Sequence, residues 1–169
     1  MSASPAAFAD TRHEEGLRLK AYRDWAAVWT IGYGHTKTAK EGMTITKAQA
    51  ESLMAADMGE VVRRLNKCLT RSVTQAQFDA LCVFAFNVGS GGACSSTLVK
   101  KLNAGDVNGA ALEFARWNKI TDPITGKKIP DPKGILQARR AREMALFLGT
   151  RAGEIATAAV TAVKKNPAL

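Results

Sequence analysis

Histidine is scarce in this chain: His13 and His35 are its two among 169 residues. Without a Cys/His spacing of the zinc type, no metal is expected. Cysteine is scarce as well. Cys68, Cys82 and Cys94 are an odd count with no paired spacing, so a disulfide framework is not expected. They read as reduced thiols in a cytoplasmic product, with Cys82 acting as a core hydrophobe. Long apolar runs are missing. Ala80 to Val99 is uncharged over 20 residues, the length of a membrane span, but its apolar part ends by Val88 and a Gly-Ser stretch follows. It reads as a buried helix plus a loop. The first eight residues lack the basic start and apolar core of a signal peptide. Synthesis in the cytoplasm is therefore expected. Internal repeats and low-complexity tracts are absent.

A chain of 169 residues makes one domain and can bury roughly 70% of its extended surface without staples. Its hydrophobic share of 46% and charged share of 23% are those of a globular protein. The 24 Lys and Arg against 15 Asp and Glu give +9, and the excess is uneven. From Arg71 onward 14 basic residues face 7 acidic ones. Such a surface favours polyanions. Nucleic acid is not expected, because no recognition motif and no interleaved aromatic and basic platform is present.

Ser4-Pro5 opens a helix that runs to about Glu15 and stops at Gly16. Short runs of glycine, aromatic and β-branched residues then predict a small antiparallel sheet, with strands near Arg18–Arg23, Trp29–Gly34 and Met43–Ile45. Thr46-Lys-Ala-Gln49 is a capping box opening a long helix, about 47–69, able to span two lobes. Thr74-Gln-Ala-Gln77 is a second, opening the most apolar helix. Ser96 and Asp106 cap shorter helices, ending near Gly105 and Trp117. Residues 118–133, rich in Pro, Gly, Asp and Lys, predict a surface loop or loose hairpin. Ile135–Leu148 predicts a further helix closed by Gly149, and an alanine-rich tail follows.

The chemistry concentrates between Glu15 and Thr36. Glu15, last in its helix, faces the negative end of the helix dipole, which disfavours its charged form, as a general acid requires. Asp24 follows a strand-like run, and Thr30 sits on the next. Each alone has a bland alternative: a solvated helix-end acid, a turn aspartate and an ordinary strand threonine. Gly32 and Gly34 suit tight backbone packing or close approach of a ligand. Two carboxylates held apart by rigid backbone are the equipment of glycosidic bond cleavage.

Glu15-(8 residues)-Asp24-(5 residues)-Thr30, opened by Glu-Gly-Leu-Arg-Leu-Lys and closed by Trp-Thr-Ile-Gly-Tyr-Gly-His-Thr, resembles the phage-type lysozymes, the endolysins of glycoside hydrolase family 24. The resemblance continues through Gly42–Lys47, Gln77–Gly89, Ser96-Thr-Leu98, Leu102–Asp106, Arg116-Trp117 and Gly134–Glu143. It implies an α+β, mostly α, lysozyme-like fold. A small antiparallel sheet lobe at about 15–46 would be joined by the long helix to a helical lobe at about 74–149, packed with helix 5–15. The active-site groove would lie between the lobes, and 150–169 would form a tail.

The same resemblance implies Glu15 as proton donor, Asp24 as general base or electrostatic partner, and Thr30 as holder of the attacking water. It implies substrate contacts at Tyr33, Phe86, Asn87, Thr97 and Arg116. The substrate would be peptidoglycan, cut between N-acetylmuramic acid and N-acetylglucosamine by a monomer using no cofactor. The protein would reach the wall from the host cytoplasm through a holin. A lytic transglycosylase and a basic membrane-permeabilising protein are the alternatives. The second would use a weak contact of the basic C-terminal part with anionic membrane. His35 reads as a structural residue whose expected partner is Asp57 on the long helix. Arg116 could instead pair with Glu113, Phe86 and Asn87 could be core and helix end, and Arg139, Arg140 and Arg142 read as a solvated face. The loop 119–133 is longer and more charged than a minimal connection, and the tail matches nothing in the family pattern.

Overall fold

A computed structural model describes residues 1–24, 27–122 and 125–150; the expected tail helix lies outside the described residues. The Ser4 side chain accepts a hydrogen bond from the Ala7 N–H and caps α1 (Pro5–Glu15). The helix closes at Gly16, whose φ of 66° suits glycine. The chain then pairs β1 (Arg18–Arg23) with β2 (Trp29–Gly32), antiparallel, with Tyr22 opposite Thr30. The third strand expected at Met43–Ile45 forms no named strand; it is reduced to an isolated bridge between Lys20 and Thr44. One bridge satisfies few backbone groups, so the segment reads as a bracing loop rather than a sheet edge.

Both capping boxes form, with reciprocal bonds between Thr46 and Gln49 and between Thr74 and Gln77. They open α2 (Lys47–Cys68) and α3 (Gln75–Val88). Next come α4 (Ser90–Ser95), α5 (Thr97–Asn103), α6 (Val107–Glu113) and a 3₁₀ turn, Phe114–Arg116. The segment after Trp117 is a hairpin, β3 (Lys119–Thr121) with β4 (Lys128–Pro130). It ends at Asp131, whose carboxylate accepts bonds from Lys133 and Leu136 N–H at the start of α7 (Ile135–Leu148). Those backbone donors hold the Asp131 carboxyl below its ordinary value.

Two apolar clusters match the two lobes. The larger gathers Phe78, Leu81, Phe84, Leu98, Leu102, Phe114 and Phe147 with Leu65 of α2. The smaller holds Ile31, Tyr33, Ile45, Ala50 and Met54. Phe8 and Phe86 pack against both, so α1 and α3 as well as α2 join the lobes. Among the described residues no helix is long and apolar enough to cross a membrane.

Three expectations need correction. Cys68 and Cys94 are disulfide-bonded, with Cα atoms 5.8 Å apart, so the reading of reduced thiols holds only for Cys82. The pairing depends on α4 folding back against α2 and α3, a tertiary event that spacing does not encode. The Gly-Ser loop is itself this short helix, because Ala93 is buried and overrides poor glycine propensity. The arginines of α7 do not form a solvated face: Arg139 and Arg140 are buried and only Arg142 is exposed. Cys82 is fully buried, and burial pushes its thiol up to about 12.

Candidate active site

Glu15 ends α1, where its backbone continues into Gly16 and the sheet. Its Oε1 accepts a hydrogen bond from Arg139 Nη2 at 2.7 Å. That buried guanidinium also donates through Nε to Glu143 Oε1 at 3.3 Å. The arginine thus clamps Glu15 from α7, 124 residues away in sequence. It brings a positive charge to a carboxyl that the helix end alone would surround with negative charge, so the dipole is not the only field acting there. Nothing in the local sequence around Glu15 signals this cation; it is the main feature that sequence reasoning missed. The i, i+4 spacing of Arg139 and Glu143 on α7 was the available signal, though Arg140 and Arg142 beside them mask it.

Glu15 is one end of a wider network. Arg140, 1% exposed, donates through Nη2 to Asn87 Oδ1 at 2.5 Å and lies 5.1 Å from the Phe84 ring centroid. Its Nη1 stands 3.2 Å from Glu143 Oε2. Burial pushes the Glu143 carboxyl up to about 7 against the pull of Arg140 and Arg139, and burial lowers the Arg140 pKa. Glu14 also reaches α7 and pairs with exposed Arg142 at 2.7 Å. Consecutive arginines of α7 therefore hold Glu15 and Asn87, the end of α1 and the end of α3, beside one another.

Gly34 supplies the opposite side. Its φ is 90°, and a Cβ there would lie 3.5 Å from Glu15 Oε2, so the missing side chain keeps that oxygen accessible. Gly34 also lines a cavity of about 260 Å³, with Thr36 and Lys37 from the small lobe, Asp57, Glu60 and Val61 from α2, and Ala85, Phe86, Gly89 and Ser90 from the helical lobe. The groove expected between the lobes exists; Glu15 does not line this cavity, but its Oε2 faces Gly34, which does.

Asp24 and Thr30 are each bonded to Val28, the residue before β2. The Val28 N–H donates to Asp24 Oδ1 at 2.9 Å, and Thr30 Oγ1 donates to the Val28 carbonyl at 3.2 Å. Thr30 is buried and Asp24 half-buried. The turn thus holds the hydroxyl and the carboxylate against one residue.

The remaining sequence-derived positions separate. Phe86 lines the groove, and Asn87 is exposed at the end of α3. Thr97 is exposed in the first turn of α5. Arg116 lies 3.4 Å from Glu113 Oε1, the alternative pairing. Tyr33 is buried in the small-lobe core and its hydroxyl donates to Glu51 at 2.9 Å. Burial, followed by that hydrogen bond, holds its phenol above its ordinary value. His35 meets its expected partner: Nδ1 stands 2.7 Å from Asp57 Oδ2. The Thr38 N–H donates to His35 Nε2, so the ring proton is assigned to Nδ1 and donated to Asp57. Lys37 pairs with Asp57 at 3.0 Å and with Glu60. Among the described residues no cluster of His, Cys, Asp and Glu could hold a metal.

The family model for phage lysozyme matches residues 12–143. The endolysin of Acyrthosiphon pisum secondary endosymbiont phage 1 is 46% identical over 133 residues, 79% of this chain and 88% of that protein. The endolysin of Bacillus phage PZA is also 46% identical, but the chain spans about half of its length, 50%. Among solved structures, the endolysin from Escherichia coli O157:H7 phage FAHEc1 superposes with a TM-score of 0.79. It shows 38% identity and covers 88% of this chain and 94% of that one. The muramidase domain of SpmX from Asticaccaulis excentricus also gives 0.79, at 34% identity, covering 87% of this chain and 97% of that one.

Proposed function

This chain belongs to the phage lysozyme family, and from that premise we propose that it is a muramidase. It is an endolysin-type enzyme that hydrolyses peptidoglycan, and the bond it cuts is the β-1,4 link from N-acetylmuramic acid to N-acetylglucosamine. The observation that carries this reading is Glu15: a helix-end carboxyl clamped by buried Arg139, with an open oxygen facing side-chain-free Gly34 beside the groove.

Glu15 donates a proton to the leaving sugar oxygen. Asp24, on the turn it shares with Thr30, acts as base or electrostatic partner, and Thr30 holds the attacking water. Bond cleavage then needs no cofactor. Phe86 and Asn87 contact the glycan along the groove, with Thr97 and Arg116 further out. Tyr33 supports the strand from beneath. The enzyme is made in the host cytoplasm, acts as a monomer and reaches the wall after a holin opens the membrane.

Digestion of purified peptidoglycan with mass analysis of the fragments tests the reading. Fragments should end in reducing sugars, and Glu15→Gln should lower the rate by at least about 10³-fold. Anhydro ends would mean a transglycosylase instead. Lysis by Glu15→Gln at the wild-type rate would mean a permeabilising protein.

A further inference from the structure

At the far end of α2 the character of the surface changes. Asp57 and Glu60 line the groove; one turn later the helix presents Arg63, Arg64 and Lys67, all exposed. Residues three and four apart share a helix face, so Arg64 continues the Glu60 side while Arg63 and Lys67 form the adjoining stripe. The end of α5 is fastened here: Asn103 donates to the Cys68 carbonyl at 2.8 Å and accepts from Thr70 N–H at 3.0 Å. Lys100, one turn before Asn103, is therefore on the same side. Arg71 lies across Gly105, where a Cβ would come within 2.6 Å of its Nη1. The Cys68–Cys94 bond holds α4 under the same corner.

Five cations thus gather on one corner of the helical lobe. Among the described residues, Arg63, Lys67, Arg71 and Lys100 have no ion-pair partner, and Arg64 has a distant one, Glu60 at 3.9 Å. Glu60 is itself held by Lys37, and the other nearby acid, Asp106, caps α6 through Gly109 N–H. The corner is also short of large apolar side chains. Leu17, Leu19, Val28, Leu112, Ile135 and Leu148 are exposed outside these segments, and Met1, hydrogen-bonded to Asn66, is the one beside it. Long, hydrated cations with a single methionine beside them suit a hydrated polyanion better than the interior of a bilayer.

We propose that this corner is a second wall-holding surface, binding the carboxylates of peptidoglycan stem peptides next to the groove in which the glycan is cut. It rests on the peptidoglycan-hydrolase reading above. The middle of α2 borders the groove that takes the sugar strand; the cations at the helix's C-terminal end take the acidic peptides that branch from that strand or from a neighbouring one.

Co-sedimentation with insoluble peptidoglycan sacculi tests this, in the Glu15→Gln background so that the ligand survives. R63E/K67E/R71E should weaken binding about tenfold and flatten its dependence on salt. Short soluble glycan fragments should be hydrolysed at the wild-type rate by the same triple variant carrying Glu15. The milder R63Q/K67Q/R71Q should fall between, and it decides the matter should the reversed protein fail to fold. Sacculi stripped of stem peptides by an amidase should bind the parent and reversed proteins alike. Unchanged binding of the folded variants to intact sacculi overturns the proposal. So does a charge effect that persists on stripped sacculi, or one confined to phosphatidylglycerol vesicles. Failure of the hydrolase reading looks different: wild-type protein would leave sacculi uncut, while the binding comparison still judges the corner.

Discussion

Glu143 is a carboxyl buried beside two arginines. It is 2% exposed, it faces Arg139 and Arg140 on its own helix, and burial raises its pKa from 4.5 to about 7. Between those values the folded protein holds a proton that the unfolded chain has released. Stability from this group is therefore highest near pH 4.5 and falls as pH rises to about 7, by an amount of order 3 kcal/mol. Glu143→Gln should flatten that part of the pH–stability curve, measured by denaturant unfolding from pH 4.5 to 7.5. An equal slope in the variant would place the titration elsewhere. The link to Glu15 runs through Arg139, so the variant should also change the pH profile of hydrolysis more than its effect on folding explains.

At the scale of elements, the Cys68–Cys94 bond joins the end of α2 to α4, whose capping position, Gly89, makes no side-chain bond and whose sequence holds two glycines. A weak helix kept in place by a covalent link should suffer when the link opens. For a loop of 26 residues the entropic estimate is about 3 kcal/mol. Reductant, or the C68S/C94S pair, should lower the unfolding midpoint accordingly, and C82S should remain as sensitive to reductant as wild type. Titration of the denatured, unreduced protein should find one thiol. α4 was also where sequence reasoning stopped working, for a related reason. Capping boxes at Thr46 and Thr74 declare the starts of α2 and α3 because their bonds are local, and Gly16 and Gly149 declare helix ends in the same way. The fold of Ser90–Ser95, the Cys68–Cys94 pairing and the burial of Arg139 and Arg140 arise only when distant elements meet. The candidate site divides along the same line. Glu15, Asp24 and Thr30 are candidates proposed from spacing and family resemblance, whereas the Arg139 clamp is visible only with α7 against the end of α1.

Across the whole molecule, the small lobe is tied to α2 by polar bonds as well as by its own core. Glu51 accepts from Arg12 and from Tyr33, and Asp57 accepts from His35 and Lys37. These bonds fix the angle of the sheet, and with it the position of Asp24 and Thr30, relative to the helix that forms the groove wall. Asp57 is the more consequential acceptor, since its side chain is 17% exposed and its partner His35 is 7% exposed. Asp57→Asn should cost about 1–3 kcal/mol, because it leaves a buried imidazole poorly paired. Glu60→Gln, on the exposed rim, should leave stability nearly unchanged. A double-mutant cycle of Asp57→Asn with His35→Asn should return a coupling of about 1 kcal/mol or more. If the pair sets the lobe angle, Asp57→Asn should also lower kcat/KM on peptidoglycan under conditions where the variant is fully folded. Additive stability changes with unaltered kinetics would mean that the two lobes hold their angle without the His35–Asp57 pair.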